Sequence, residues 1–493
     1  MTQSVDHFAL LPLYAAAGTA LLILLAEVTA GRRAVVLGAA LLGAAATAVC
    51  AGVVAGQGER STFCLGPDCS WVATPLAGLA AVVFAGLTAG VLALSVPTLR
   101  LGAAPAGEFC FLLACSMTGG VTVAYAGDLI TLIVGLETLT LPLYVLVGLR
   151  RFAPRERVTT AGASAAVTFF LISVVSTALA LLGAALLYAA TGALHLSSLG
   201  GDAAARALAE LGLSVQDLGG QGVGAPATLA TVGAALLVVG FGFKVAAVPL
   251  HAWAPATYDG APVPVAAYLS TASKLGGVVA LAAVVPQLDT GWLVAVLAVL
   301  TMTVGNLVAL RQTRMVRLLA WSSIAQAGYI LAPLAAGGAG VQAALAYAVF
   351  FVVLEFVAFG ALVALRRPAA DGGEIADYRG AGRRAPWRGA ALVLAFAGLA
   401  GLPPGLAGLF AKVTIVDVLI DTGWAWLAGV VALNAVIALA YYVRAAAVLY
   451  APESPAGVRS RVAPSVAAAV ALGAAVAVLV GLAPQLIFNA LSP

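Results

Sequence analysis

The sequence predicts an all-α integral membrane protein of about fourteen transmembrane helices in a single polytopic domain. Three observations lead there: composition, the spacing of apolar runs and the placement of arginine. The chain of 493 residues is 63% hydrophobic and 9% charged, whereas a soluble domain carries roughly 25% charged residues. Its solvent is therefore mostly lipid.

Apolar runs of the length a bilayer requires fall at 8–30, 33–56, 72–97, 107–126, 127–149, 161–190, 226–250, 262–287, 290–311, 314–335, 340–366, 387–422, 424–451 and 463–490. The first is too long for a signal-peptide core and lacks a basic flank, so it reads as a permanent span. The run at 387–422 is too long for one ordinary span and is interrupted at Pro403-Pro404, which marks one discontinuous helix. The seventh run is interrupted at Pro249. Broken helices survive at membrane depth only where protein or water covers the freed backbone. A pair of them in the two halves of a chain points to an internal repeat with ion sites at the breaks.

The arginines check the count. Nineteen of the 21 follow spans 1, 3, 5, 9, 11 and 13, from Arg32-Arg33 to Arg444, Arg459 and Arg461; only Arg60 and Arg206 lie in the opposite loops. The positive-inside rule makes the arginine-rich loops cytoplasmic and puts both termini on the outer side of the cell membrane. The longest loops, 191–225 and 367–388, are too short for a soluble domain.

The three lysines, Lys244, Lys274 and Lys412, all lie inside apolar spans. A desolvated lysine can lose its proton, and an arginine effectively cannot. Glu137 and Glu355 are also at membrane depth. One such charge costs roughly 2.5–3.5 kcal/mol at a helix centre. Five facing lipid would cost on the order of 12–18 kcal/mol, comparable to a whole protein's stability of about 5–15 kcal/mol. They must face the interior, pair, or be neutral part of the time. Ion pairs that merely lock helices together are the plainer reading, but Ser, Thr or Gly can join helices at lower desolvation cost. There are too few acids to pair all three lysines. Asp417, about one turn beyond Lys412, reads as a local partner of Lys412 or of water.

Other chemistry is poorly supported. His7 and His195 lie near outer loops, and His251 follows Pro249. With three histidines and no cysteine cluster, neither haem, iron–sulfur nor zinc is expected, and no phosphate loop is present. Gly240 and Gly242 read as helix-packing positions. Cys64 and Cys69 share a loop and could form a disulfide if it faces the oxidising side.

The stretch GFGFKVAAVPLHAWAPATYDGAPVPVAAYLSTASK (240–274) closely resembles the N-type antiporter-like subunits of the proton-pumping NADH:quinone oxidoreductase, respiratory complex I. So do LETLTLPLYVLVGLRR (136–151), RMVRLLAWSSIAQAGYIL (314–331), AGLPPGLAGLFAK (400–412) and YYVRAAAVLY (441–450). The resemblance implies three leading helices (8–106) and two inverted five-helix repeats, at 107–287 and 290–451. Helices 7 and 12 are discontinuous, and a last helix spans 463–490. It implies a water-filled polar axis along which Glu137 tunes Lys244, Lys274 is the central lysine and Lys412 the terminal one. Quinone reduction elsewhere in the complex would drive the transfer. No cofactor is expected in this chain; flavin, iron–sulfur clusters and quinone belong to other subunits. The small K- and J-type subunits and the M-type subunit are the expected neighbours. The family's usual His in RLLAxSSIxH is Gln326 here, which orients water but carries no proton. Glu355 lies outside the family pattern and offers a substitute protonatable group. Two rival readings are a subunit of a multisubunit cation/proton antiporter and a non-pumping scaffold subunit of the same complex.

Overall fold

A computed structural model of the chain describes residues 5–149, 156–199, 224–368, 370–403, 405–452 and 461–491. Each of the fourteen apolar runs contains helix. The first six are α1 (Leu11–Ala30), α2 (Arg33–Ala55), α3 (Pro75–Arg100), α4 (Ala106–Tyr125), α5 (Leu129–Gly148) and α6 (Glu156–Thr191). The seventh run gives α7 (Gly224–Lys244), followed by the short α8 (Trp253–Gly260). The eighth holds α9 (Val263–Tyr268) and α10 (Lys274–Val284), joined by one π-helical turn at Leu269–Ser273. Next come α11 (Gly291–Ala309), α12 (Met315–Leu334) and α13 (Val341–Leu365). The long run divides into α14 (Pro386–Ala400) and α15 (Leu406–Asp421). The chain closes with α16 (Ala425–Tyr450), α17 (Pro464–Leu482) and the short α18 (Gln485–Leu491).

Among the described residues, eleven helices are long and apolar enough to cross a membrane. The three remaining runs are the ones with polar content or breaks: α7, α12 with its Ser322, Ser323 and Gln326, and the α14–α15 pair. The two most enclosed spans are Val263–Gln287 and the one ending in α13, with 89% and 83% of their windows buried. These two carry Lys274 and Glu355. At the periphery, α1, α6 and α17 turn large apolar side chains such as Leu21, Leu171 and Leu472 outward, as lipid contact requires.

Helix starts follow local chemistry. Thr74 accepts a bond from the Ala77 amide at 3.1 Å and Asp128 one from Thr131 at 2.7 Å, each satisfying an orphan donor of the first turn. At the opposite ends arginines close orphan carbonyls. Arg33 donates to the carbonyls of Leu99 and Arg100, and Arg444 to those of Leu310 and Gln312. Arg314 grips Asp259 through both carboxylate oxygens, at 2.9–3.0 Å, and reaches Asp371 at 3.2 Å. This clamp ties α8 to the start of α12 and to the loop after α13.

The structure corrects the sequence reading in four places. The chain is not purely α. An antiparallel hairpin, β1 (Arg60–Leu65) and β2 (Asp68–Ala73), fills the loop after α2, with Cys64 opposite Cys69 in a disulfide. Hairpin pairing brings the two cysteines to one register position, which loop spacing alone could not establish. The seventh helix ends at Lys244, not at Pro249. Gly242 has only ordinary contacts, whereas a Cβ on Gly240 would sit 2.8 Å from Ala180; only Gly240 is a tight packing position. Lys412 pairs with main-chain carbonyls rather than with Asp417, whose side chain is exposed.

Both breaks use the same device. After α7 the Ala246 amide bonds the Phe243 carbonyl and the Ala247 amide bonds that of Gly242, at 2.9 and 2.8 Å. Ala246 takes φ 59°, a left-handed conformation uncommon for a residue with a Cβ. After α14 the Gly401 amide bonds the Gly398 carbonyl and the Leu402 amide that of Ala397, at 3.0 and 2.8 Å, with Gly401 at φ 84°. Each is a Schellman motif, which closes a helix and leaves carbonyls of its last turn for other partners. A proline follows shortly in both, Pro249 and Pro403.

Candidate functional site

Lys244 is the last residue of α7, so its cationic head sits at the negative end of a helix dipole. Its Nζ donates to Glu137 Oε1 at 2.6 Å, Thr140 Oγ1 at 3.1 Å and Ser173 Oγ at 3.2 Å. All three N–H bonds of the ammonium are used. Glu137 also accepts from Thr177 Oγ1 at 2.6 Å. The lysine is 3% exposed and the glutamate side chain 23%, so the acid end of the pair reaches the molecular edge. Thr140 lies one residue short of a turn beyond Glu137 on α5, which puts acid and hydroxyl on one face.

Lys274 follows the π-turn directly and is buried. A Cβ on Gly277, one turn further along α10, would meet Lys244 Cβ at 2.8 Å. That glycine is what lets the helix of the second lysine press against the residue carrying the first. Among the described residues Lys274 has one hydrogen-bond acceptor, the Ser323 carbonyl at 2.6 Å, and no carboxylate within 4.0 Å. The Phe351 ring lies 6.0 Å from Nζ. For a cation with three donors this is the poorest coordination of the three lysines.

Lys412 is on α15 and reaches back to the end of α14. It donates to the carbonyls of Leu399 and Ala400, both at 2.9 Å, and its Nζ stands 5.2 Å from the Tyr329 ring centre. The break thus supplies negative carbonyls, and the dipole of α14, to a lysine that has no carboxylate partner among the described residues.

Gln326 lies between the second and third lysines, fully buried. Its amide donates to the Leu399 carbonyl at 3.1 Å and to Tyr442 at 3.0 Å, and its oxygen accepts from Tyr347. Tyr442 in turn shares a 2.5 Å bond with Ser322, next in sequence to the Ser323 that holds Lys274. Polar groups line the way from Lys274 to Lys412: Ser322, Tyr442, Gln326 and the Leu399 carbonyl are hydrogen-bonded in turn, while Ser323, which holds Lys274, and Ser322 are joined only as neighbours on α12. Glu355, on α13, accepts from Ser270 Oγ at 2.7 Å, and Ser270 is 3.1 Å from Ser323 Oγ.

Of the six residues singled out in the sequence, Glu137 and Lys244 form one polar cluster, and Lys274, Glu355, Gln326 and Lys412 line a second polar seam; the two meet in packing, where Gly277 lies against Lys244. The reading missed Thr140, Ser173, Ser270, Ser322, Ser323 and Tyr442. Hydroxyls within apolar helices were the available signal, but serine and threonine also bond their own helix in such segments, as Thr88 and Ser95 do. His7 bonds Tyr14 at 3.0 Å, away from the seam. Among the described residues no group of three or more His, Cys, Asp or Glu could hold a metal ion.

Buried lysines at two broken helices, joined by hydroxyls and amides, define a membrane protein of the antiporter-like, ion-translocating class. A family model described as NADH:quinone oxidoreductase/Mrp antiporter, TM, matches residues 126–438. NADH-quinone oxidoreductase subunit N of Salinispora tropica is 61% identical over 471 residues, 92% of this chain and 87% of that one. Subunit N 2 of Streptomyces griseus is 41% identical over 478 residues, 92% and 84% of the two chains. A chain of respiratory complex I from Thermus thermophilus superposes with a TM-score of 0.80 at 28% identity, covering 98% of this chain and 99% of that one. A chain of the Mrp complex from Dietzia sp. has the same fold, with a TM-score of 0.80 at 21% identity, covering 99% and 96%. The chain belongs to the NADH-quinone oxidoreductase subunit N family, and so is a membrane-arm subunit of respiratory complex I.

Proposed function

We propose that this chain carries protons from Glu137 and Lys244 through Lys274 to Lys412, driven by quinone reduction elsewhere in the complex. The observation that carries the reading is the 2.6 Å Glu137–Lys244 pair. A carboxylate so placed favours the charged lysine. Withdrawing it, by a charge arriving at the partly exposed edge of Glu137, releases the proton toward Lys274. Moving one charge against 100 mV costs roughly 2.3 kcal/mol, and one pKa unit is worth about 1.36 kcal/mol, so a swing of about two units meets the cost.

In this reading the fourteen helical runs are fourteen crossings, with 107–287 and 290–451 as inverted repeats. The matched Schellman breaks at Ala246 and Gly401 support that pairing. The hairpin disulfide supports an outer position for the loop after α2, which agrees with the arginine pattern and with both termini outside. Glu137 faces a smaller K- or J-type neighbour, and an M-type subunit adjoins the other end.

The family assignment removes the reading as a subunit of a multisubunit cation/proton antiporter. A non-pumping scaffold remains the rival, and Glu137→Ala and Lys244→Ala decide between them. Both should assemble and lose pumping and coupled turnover. Normal pumping in both variants would contradict the relay.

A further inference from the structure

Among the described residues, Glu355 Oε2 and the Tyr258 hydroxyl are buried without a hydrogen-bond partner. Their side chains are 0% and 1% exposed. Burying such a group unsatisfied costs about 1–3 kcal/mol, and each case calls for an explanation. The Tyr258 ring, on α8, lies 6.3 Å from that of Phe359, one turn beyond Glu355 on α13. Lys274 and Glu355 are joined through two serines: Ser270 Oγ donates to Glu355 at 2.7 Å and lies 3.1 Å from Ser323 Oγ, and the Ser323 carbonyl accepts from Lys274 at 2.6 Å. Lys274 has N–H bonds to spare, since its one acceptor is the Ser323 carbonyl. Tyr442, on α16, is titratable too and bonds Ser322, next to Ser323 on α12, at 2.5 Å. A water molecule between these groups would have two to four polar partners, which is what a buried water needs.

We infer that Glu355 is the counter-charge of Lys274, joined to it by a water held between Glu355 Oε2 and the Tyr258 hydroxyl, and that the two exchange a proton during transport. The proton leaves the Lys274 ammonium, passes through the water and bonds to the carboxylate. An ion pair becomes an amine and a carboxylic acid, with no change in net charge. That matters in a low-dielectric interior, where an isolated charge is expensive and a balanced pair is not. Lys244 pairs with its acid by direct contact; Lys274 would do so through water, because Ser270 and Ser323 stand between. The inference rests on the proton-transfer reading above.

The test uses the intact complex in native membranes, with Glu355→Gln, Glu355→Asp and Tyr258→Phe. Pumping and infrared difference spectra of the carboxylic acid region are recorded together. Glu355→Gln should cut coupled proton transfer roughly tenfold, the low end of what a lost acid–base group costs, and remove one carboxylic acid band. Glu355→Asp should restore much of the transfer and shift that band. Tyr258→Phe should shift the band without removing it, which a purely packing role would not do. If Glu355→Gln pumps normally while Glu137→Ala and Lys244→Ala do not, the inference falls and the relay reading stands. If Glu355→Gln fails to assemble, an unchanged band in both Glu355→Asp and Tyr258→Phe overturns it equally.

Discussion

Gln326 and Lys412 donate to the same oxygen, the carbonyl of Leu399, at 3.1 and 2.9 Å. The residue that departs from the family pattern is thus joined to the third lysine through one acceptor. Gln326 brings no exchangeable charge, yet its two donors and its acceptor are all engaged, with Leu399, Tyr442 and Tyr347. It holds the end of α14 in place for Lys412 and orients the Tyr442 hydroxyl toward Ser322.

Gln326→Ala should therefore harm both assembly and transport. It leaves Tyr347 without its acceptor, at about 1–3 kcal/mol for a buried group left unpaired, and Tyr442 with Ser322 alone. Gln326→His keeps one donor and one acceptor, so the complex should assemble and pump within about threefold of the parent, given a net loss near 0.5 kcal/mol for one ordinary hydrogen bond. Native-gel yield and proton uptake check both. Equal behaviour of the two variants would mean the side chain only fills space.

The break after α14 makes a second prediction. Gly401 has φ 84°, and a Cβ there would lie 3.4 Å from Lys412 Cδ and 3.5 Å from Nζ. Gly401→Ala should cost about 1–2 kcal/mol from the left-handed backbone, and the strained break carries the carbonyls that hold Lys412. Thermal unfolding of the purified complex measures the cost, and coupled turnover its effect at Lys412. Ala246→Gly is the complementary change. It should be near neutral, because relief of about 1–2 kcal/mol of strain is largely offset by roughly 0.5–1 kcal/mol of added chain entropy.

The hairpin after α2 carries a pH dependence. Asp6 accepts from Arg60 at 2.9 Å, and that bond, aided by the Ala9 amide, holds its carboxyl below the ordinary value of 3.8. A carboxyl lowered in the folded state adds stability above its unfolded pKa and loses it as pH falls through the folded one. The contact between the N-terminal segment and β1 should be constant from neutral pH down to about 4 and loosen below that. Amide exchange across 60–73 measures it, and Asp6→Asn should remove the dependence. The pair is largely exposed, so the change is local.

Much of this was legible in the sequence, for physical reasons. Lipid forces helices of fixed length, so the apolar runs located the long helices, though not the short α8 at Trp253–Gly260. Charge is costly at depth, so Glu137, Lys244, Lys274, Glu355 and Lys412 stood out against their surroundings. What sequence could not give was pairing across helices. Nothing in the order of residues shows that Ser270 reaches Glu355 rather than its own helix, or that Lys412 turns to a carbonyl of α14 instead of Asp417 on α15. The end of α7 was misplaced because proline was taken as the breaker, whereas the Schellman motif at Ala246 closes the helix first. An alanine in the left-handed region is rare enough that sequence gave no hint of it.

The central claim is that Lys244 gives up its proton in each cycle, and Lys244→Arg tests it most directly. Arginine preserves the positive charge beside Glu137 but does not release its proton in a protein. The quantity to measure is protons translocated per NADH oxidised, with the assembled complex in sealed vesicles. The account predicts an assembled complex whose coupled turnover and proton yield both fall, as in Lys244→Ala. A proton yield and turnover equal to the parent's would contradict it, since a fixed charge would then serve as well as a titrating one.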